Sequence, residues 1–246
     1  MSQLRAIGKL CLFIPHVVWG IFSIYVIFPK LDQQQKNRRI EAWAVALLAK
    51  FAIKLIVKGV PPAAGPILLV SNHITWLDIL VIHASKHCRF VSKSDVKHWP
   101  VLGTLATAAG TLYIERESRR DAMRVVHHMC EALQNGEILA VFPEGTTGNG
   151  IDLLPFHANL LQAAIVSKAL IQPMALKFVD TQTGQISHAV SYVGDESLFN
   201  SMWRTLKSKS LTAIVTYGDP QPSNERNRRA WAKDLRTEIA ALKAKE

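Results

Sequence analysis

His73 and Asp78 lie five positions apart in Ser71-Asn72-His73-Ile74-Thr75-Trp76-Leu77-Asp78, directly after the apolar run Ile67-Leu68-Leu69-Val70. These are the residue types of a general base and the carboxylate that orients it. The carboxylate accepts a hydrogen bond from one ring nitrogen and fixes the tautomer, leaving the other nitrogen to take a proton. Residues five apart on an ideal helix are rotated by about 140°, so the pair would not share a face. It works only if His73 sits in a turn and the helix begins near Thr75 or Trp76. A second polar turn, Phe142-Pro143-Glu144-Gly145-Thr146-Thr147, also follows an apolar run. Gly145 lets a bound group approach the backbone closely. Backbone amides and the Thr146 hydroxyl can then face a phosphate or a tetrahedral oxyanion. Glu144 is awkward beside an anion and is expected to hold a cationic side chain or a hydroxyl in place. Arg116, which follows Gly110-Thr111-Leu112-Tyr113-Ile114-Glu115, is a candidate fork for phosphate; the alternative is an ion pair with Glu115 or Glu117. No G-x-S-x-G elbow is present, so a covalent acyl-enzyme lacks an obvious nucleophile. The base would instead activate a hydroxyl brought by the substrate, or a water if the protein is an ester or thioester hydrolase.

The elements that must position these residues alternate. Apolar runs at 67–70, 89–91, 111–114, 138–142, 171–178 and 211–217 predict strands. Helical patterns at 76–84, 101–109, 119–134, 159–168 and 228–245 separate them. The alternation predicts an α/β layered domain with a mostly parallel central sheet flanked by helices. Ligands of such sheets bind beyond the carboxyl ends of the strands. Asn72-His73, Glu115-Arg116, Glu144-Gly145-Thr146 and the residues after Pro173 are each expected there. His127, His128 and Cys130 share one helical pattern; adjacent histidines point apart and no second cluster completes a ligand set, so no metal site is expected.

The chain is 246 residues long, 49% apolar, and carries a formal charge of +10. That excludes global disorder and favours anionic partners. Three scattered cysteines without a CxxC pair fit a reducing compartment. Leu10 to Phe28 contains no Asp, Glu, Lys or Arg, which is just long enough to cross a bilayer. A retained membrane anchor is expected rather than a signal peptide, because no small-x-small cleavage site precedes Phe28-Pro29-Lys30. Ile40 to Val57 reads as one amphipathic helix, with Lys50, Lys54 and Lys58 at four-residue spacing. It would lie in the membrane interface or, alternatively, pack against the domain. No aromatic-basic strand motif appears, and no nucleic-acid partner is expected. Pro61-Pro62-Ala63-Ala64-Gly65-Pro66 divides the chain into N-terminal membrane-associated helices (1–60) and the α/β domain (61–246).

Taken jointly, these segments resemble the glycerolipid acyltransferase family of the 1-acyl-sn-glycerol-3-phosphate acyltransferase type. Asn72 to Asp78 resembles its first motif, the H-x4-D box. Gly110 through Arg116 resembles the second, Phe142 through Thr146 the third, and Ile171-Gln172-Pro173-Met174 the fourth. The resemblance implies that His73, oriented by Asp78, deprotonates a lysophospholipid hydroxyl, which attacks an acyl thioester. Asn72, Arg116, Glu144, Gly145 and Thr146 would position the acceptor. It implies no cofactor, with acyl-ACP or acyl-CoA as donor cosubstrate. It also implies work at a membrane phospholipid surface, of the bacterial inner-membrane type, with the catalytic domain facing the cytoplasm. One departure stands out: Thr147 occupies the place where phosphatidic-acid-forming members carry Arg. That keeps a lyso-ornithine lipid open as acceptor beside the favoured lysophosphatidate.

Overall fold

A computed structural model describes residues 1–114 and 119–245. Among them, seven strands form one sheet in the order β1-β7-β6-β2-β5-β3-β4. They are β1 (Ile53–Lys58), β2 (Ile67–Ser71), β3 (Arg89–Lys93), β4 (Leu112–Ile114), β5 (Ile138–Val141), β6 (Leu170–Asp180) and β7 (Leu211–Tyr217). All neighbouring pairs are parallel except β6 and β7. The helices are α1 (Ser2–Phe22), α2 (Gln33–Lys50), α3 (Leu77–Ser85), α4 (Leu102–Ala108), α5 (Arg119–Gln134), α6 (Gln162–Ser167), α7 (Leu198–Lys207) and α8 (Arg228–Ala244).

Strand periodicity sorts the core onto two faces. In β2, Ile67 and Leu69 pack with α2 and α3, while Leu68 and Val70 pack with α5, α6 and α8. Both faces are apolar, as a parallel sheet covered by helices requires. Trp231, Leu235 and Ile239 of α8 are completely buried on the second face, and Leu77, Val81 and Ile82 of α3 on the first.

The amphipathic helix expected over Ile40 to Val57 is not one element. A capping box of Asp32 and Gln35 starts α2. It ends at Lys50, because Ala52 turns left-handed at φ +57°. Residues 53–58 then become β1, paired in parallel register with β7. The lysine spacing could not distinguish these outcomes: a step of four residues nearly repeats on a helix and also repeats on a strand. β-branched Ile53, Ile56 and Val57 favour the strand. Ala44, Leu47 and Leu48 of α2 are buried in the protein, so one face of α2 packs against the domain as the alternative reading expected. The sheet therefore begins at Ile53, ahead of the boundary expected at residue 61.

Helix α1 continues through two further helical turns, so that Ser2–Lys30 forms a single apolar rod long enough by composition and length to cross a membrane. One side rests on the body. Arg5 Nη1 donates to the Lys207 carbonyl at 2.9 Å and Lys9 Nζ to that of Ser208 at 3.0 Å, at the end of α7. Farther along, the His16 ring stacks on Trp43 of α2, whose indole N–H donates to the His16 carbonyl. The opposite side presents Leu4, Leu12, Val18, Trp19 and Tyr25 to the surroundings.

Candidate active site

The main chain leaves β2 at Ser71, and α3 begins only at Leu77. His73 therefore lies in the intervening turn, while Asp78 sits in the first helical turn and reaches back. His73 Nδ1 and Asp78 Oδ2 are 2.7 Å apart. An ionised carboxylate can only accept, so Nδ1 carries the proton and Nε2 is left as the base. The same Oδ2 accepts from the amides of Ile74 (2.6 Å) and Thr75 (3.0 Å). Asp78 is completely buried; three donors on one oxygen and the amino end of α3 compensate its charge. The His73 ring lies flat on Phe142, centroids 4.0 Å apart at 10°, and Phe142 stacks in turn on Phe90. Its side chain keeps 20% of its surface exposed, and Nε2 makes no hydrogen bond among the described residues.

The glycine turn is laced directly to this histidine. Glu144, on the exit from β5, accepts the His73 amide on Oε1 at 2.8 Å and the Leu154 amide on Oε2 at 2.9 Å. The Gly148 amide donates to the His73 carbonyl at 2.8 Å. Burial pushes the Glu144 carboxyl above its ordinary range, partly offset by these backbone amides. Glu144 thus grips two backbone amides, where the sequence suggested a cationic side chain or a hydroxyl. Through these bonds it positions the main chain of His73. Gly145 adopts φ +72°, a conformation that a Cβ would strain. Thr146 is exposed at the turn. The Thr147 hydroxyl donates to the Tyr192 carbonyl.

Asn72 also departs from its expected place. It is 1% exposed. Its amide donates to the Leu176 carbonyl at 3.1 Å, while its side-chain oxygen accepts the Leu176 N–H at 2.8 Å. The side chain extends the β2–β6 ladder by one rung and pins the start of the His73 turn to β6. The residues after Pro173 continue β6 to Asp180 rather than ending at the site, and Gln172 braces the strand through the carbonyls of Val60 and Gly218. Arg116 lies outside the described residues. His127 and His128 both lean towards Glu131 on α5, whereas the Cys130 thiol donates to the Ala163 carbonyl.

Sequence reading missed the contribution of α8. Arg236 donates to the carbonyls of Leu153 and Leu154, and Lys243 to that of Ile151. Together they clamp the loop that follows the glycine turn. Mixed charge at helical spacing in the tail reads as a solvated face, and nothing local marks two of those cations as loop fasteners.

Among the described residues, no serine or cysteine nucleophile is hydrogen-bonded to the base. The Ser71 hydroxyl is buried and donates to the Asn72 carbonyl. Cys88 is fully buried, and burial drives its thiol far above the ordinary range. An imidazole base beside an anion-compatible turn, with no serine or cysteine bonded to it among the described residues, suits transfer to a hydroxyl from outside.

The profile of the acyltransferase family matches residues 54–177, from β1 through the third motif into β6. The chain belongs to the acyltransferase family. It is 37% identical over 185 residues to a 1-acyl-sn-glycerol-3-phosphate acyltransferase of Neisseria gonorrhoeae, covering 75% of this chain and 72% of that one. It is 30% identical over 240 residues to a lyso-ornithine lipid O-acyltransferase of Pseudomonas aeruginosa, covering 97% and 91% respectively. The crystal structure of the 1-acyl-sn-glycerophosphate (LPA) acyltransferase PlsC from Thermotoga maritima superposes with a TM-score of 0.69 at 16% identity, over 100% of this chain and 99% of that one. The mostly parallel sheet and apolar N-terminal helix of the acyltransferase follow that fold.

Proposed function

We propose that this acyltransferase moves a fatty acyl group from an acyl thioester to the free hydroxyl of 1-acylglycerol 3-phosphate, giving phosphatidic acid at the cytoplasmic face of a membrane. The observation that carries the reading is the His73–Asp78 pair at 2.7 Å, with Nε2 unengaged among the described residues. Nε2 takes the proton of the acceptor hydroxyl as its oxygen attacks the thioester carbonyl. The Asp78 carboxylate compensates the imidazolium. The tetrahedral oxyanion is held by Thr146, and its collapse breaks the C–S bond. The proton then passes from the imidazolium to the departing thiolate, of acyl-ACP or acyl-CoA. Arg116, by its place in the second motif, is assigned to the acceptor phosphate.

A lyso-ornithine acceptor is the second reading, and Thr147 favours it. With its hydroxyl donated to Tyr192, this position supplies no cation to a phosphate. The P. aeruginosa relative, matched along nearly its whole length, carries that activity in its name. Purified protein offered both lysolipids with both donors, with products read by mass spectrometry, decides between them. Product must require an added lysolipid, since a hydrolase would release fatty acid without one. His73→Ala should lower transfer by about 10²- to 10⁴-fold. Equal transfer by wild type and variant would overturn the assignment.

A further inference from the structure

We propose that α7 docks on the surface of a bilayer containing anionic phospholipid, as a second membrane contact beside α1. This rests on the reading of the protein as a membrane acyltransferase. Phe199, Trp203 and Lys207 recur every four residues and share one face of α7. Phe199 is 64% exposed and stacks on Trp203, and the Lys207 ammonium lies over the Trp203 ring at 5.7 Å from its centroid. An apolar aromatic tip followed by an aromatic ring and a lysine is the order of groups met on going from acyl chains through the interface to headgroups. The opposite face, with Ser201 and Thr205, is buried against the protein, and Leu206 with the inner edge of Trp203 packs on the core beside it.

Continuity with α1 identifies the occupant. Arg5 and Lys9 of α1 are hydrogen-bonded to the last carbonyls of α7 and the residue after it, so α7 packs beside the body-facing side of α1, near its exposed Leu4. α1 is fixed to the α/β body at two points along its side, near its amino end at α7 and at His16 by Trp43 of α2. A helix bound along its side in this way offers the membrane its flank, and α7 lengthens that flank. Charge agrees: Lys207 and the exposed Lys209 stand at the carboxyl end of α7, where Arg5 of α1 bonds to the Lys207 carbonyl, within a chain of net charge +10.

The contact also reaches the catalytic turn. Ser201 and Arg204 of α7 both donate to the Ser191 carbonyl, and Thr205 to that of Ala189. The neighbouring Tyr192 carbonyl accepts the Thr147 hydroxyl. Docking α7 therefore fixes the height of the glycine turn above the lipid surface, where a lysolipid hydroxyl must rise to meet His73.

The experiment uses the full chain on phosphatidylcholine vesicles with one quarter phosphatidylglycerol and a trace of diazirine-labelled phospholipid. After irradiation, adducts are mapped by mass spectrometry. Adducts are expected on the peptide bearing Phe199 and Trp203 as well as on α1. Phe199→Ser with Trp203→Ser should abolish the α7 adducts and slow transfer to vesicle-embedded lysolipid about tenfold, while transfer to a short-chain lysolipid dissolved as monomer is unchanged. Lys207→Ala should lower vesicle affinity about fivefold at low salt, the effect expected of one surface lysine near anionic lipid, and much less at 1 M salt. Adducts confined to α1, or an unchanged rate on vesicles for the double serine variant, would overturn the proposal; so would capture of an acidic protein at Lys207 with no lipid adduct on α7. Adduct mapping does not depend on transfer. A protein that labels on α7 yet acylates nothing would sink the enzymatic reading and leave the surface standing.

Discussion

Replacing Asp78 by Asn separates orientation from charge in this site. Oδ2 of Asp78 accepts from His73 Nδ1 and the amides of Ile74 and Thr75, whereas Oδ1 is buried and has no partner. An Asn amide turned with its oxygen in the Oδ2 position keeps all three donors, and its NH2 occupies the unpartnered Oδ1 position. The His73 tautomer is therefore retained, and what disappears is the negative charge that compensates the imidazolium. A hydrogen bond between charged groups is worth about 1.5–3 kcal/mol and a neutral one about 1, so the transition state loses about 0.5–2 kcal/mol. At about 1.4 kcal/mol per decade, kcat/KM should fall about two- to thirtyfold. Asp78→Ala removes orientation as well and leaves three N–H groups without an acceptor. It should approach the loss of His73→Ala and destabilise by several kcal/mol, at about 1–3 per unsatisfied group. Steady-state transfer kinetics with thermal melting of the three variants test this ranking. If Asp78→Asn proved as inactive as His73→Ala while still folded, the charge-only account of Asp78 would be refuted, and a wrong tautomer or proton transfer to the carboxylate would have to replace it.

Glu144→Gln should be worse than an isosteric change suggests, because one of the two backbone amides must then meet an NH2. At about 1–3 kcal/mol for the lost acceptor, melting should drop by roughly 2–10 °C and kcat should fall with the displaced His73. Arg236→Ala frees the Ile151–Leu154 loop without touching the histidine. Acceptor KM should rise about tenfold, the worth of a charged hydrogen bond, with kcat nearly unchanged; a kcat effect alone would contradict the clamp. His83 and His87 stack on one another in α3 and the turn after it. Burial drives them down to about 3 and about 4, aided by each other's proximity, Lys86 and Arg89. Their folded values lie below the unfolded one near 6.5, so the unfolded chain binds more protons as pH falls. Stability present above about pH 6.5 is then lost progressively towards pH 4, by about 2 kcal/mol per histidine at pH 5. Melting temperature followed against pH should show this slope, and His83→Leu with His87→Leu should flatten it.

Much of this arrangement was legible in the chain itself, because the information was local. The all-apolar runs at 67–70 and 138–142 could only be covered on both faces, and they became the central strands β2 and β5. His73 before the start of α3 followed from helix geometry alone, since five residues cannot bring Asp78 round on a continuous helix. What resisted reading depended on distant partners. The lysines at 50, 54 and 58 satisfied helix and strand equally until β7 supplied an edge for Ile53–Lys58. Asn72 and Glu144 look like ligand contacts because polar groups at strand ends often are. Only the placement of Leu176, His73 and Leu154 shows that backbone consumes them. Helix α7 was missed because Leu198–Lys207 mixes Ser, Arg and Lys with its aromatics, and its apolar tip gains meaning only beside α1.

The lacing of His73 to the glycine turn also bears on how such enzymes can be recombined. The main chain of His73 makes both bonds to that turn: its carbonyl accepts the Gly148 amide, and its amide donates to the Glu144 carboxylate. A graft that imports one segment from a relative without the other inherits a register error of fractions of an ångström at the imidazole. Chimeras designed to alter lipid preference should therefore carry both turns across as one cassette, with the junctions placed back in the strands.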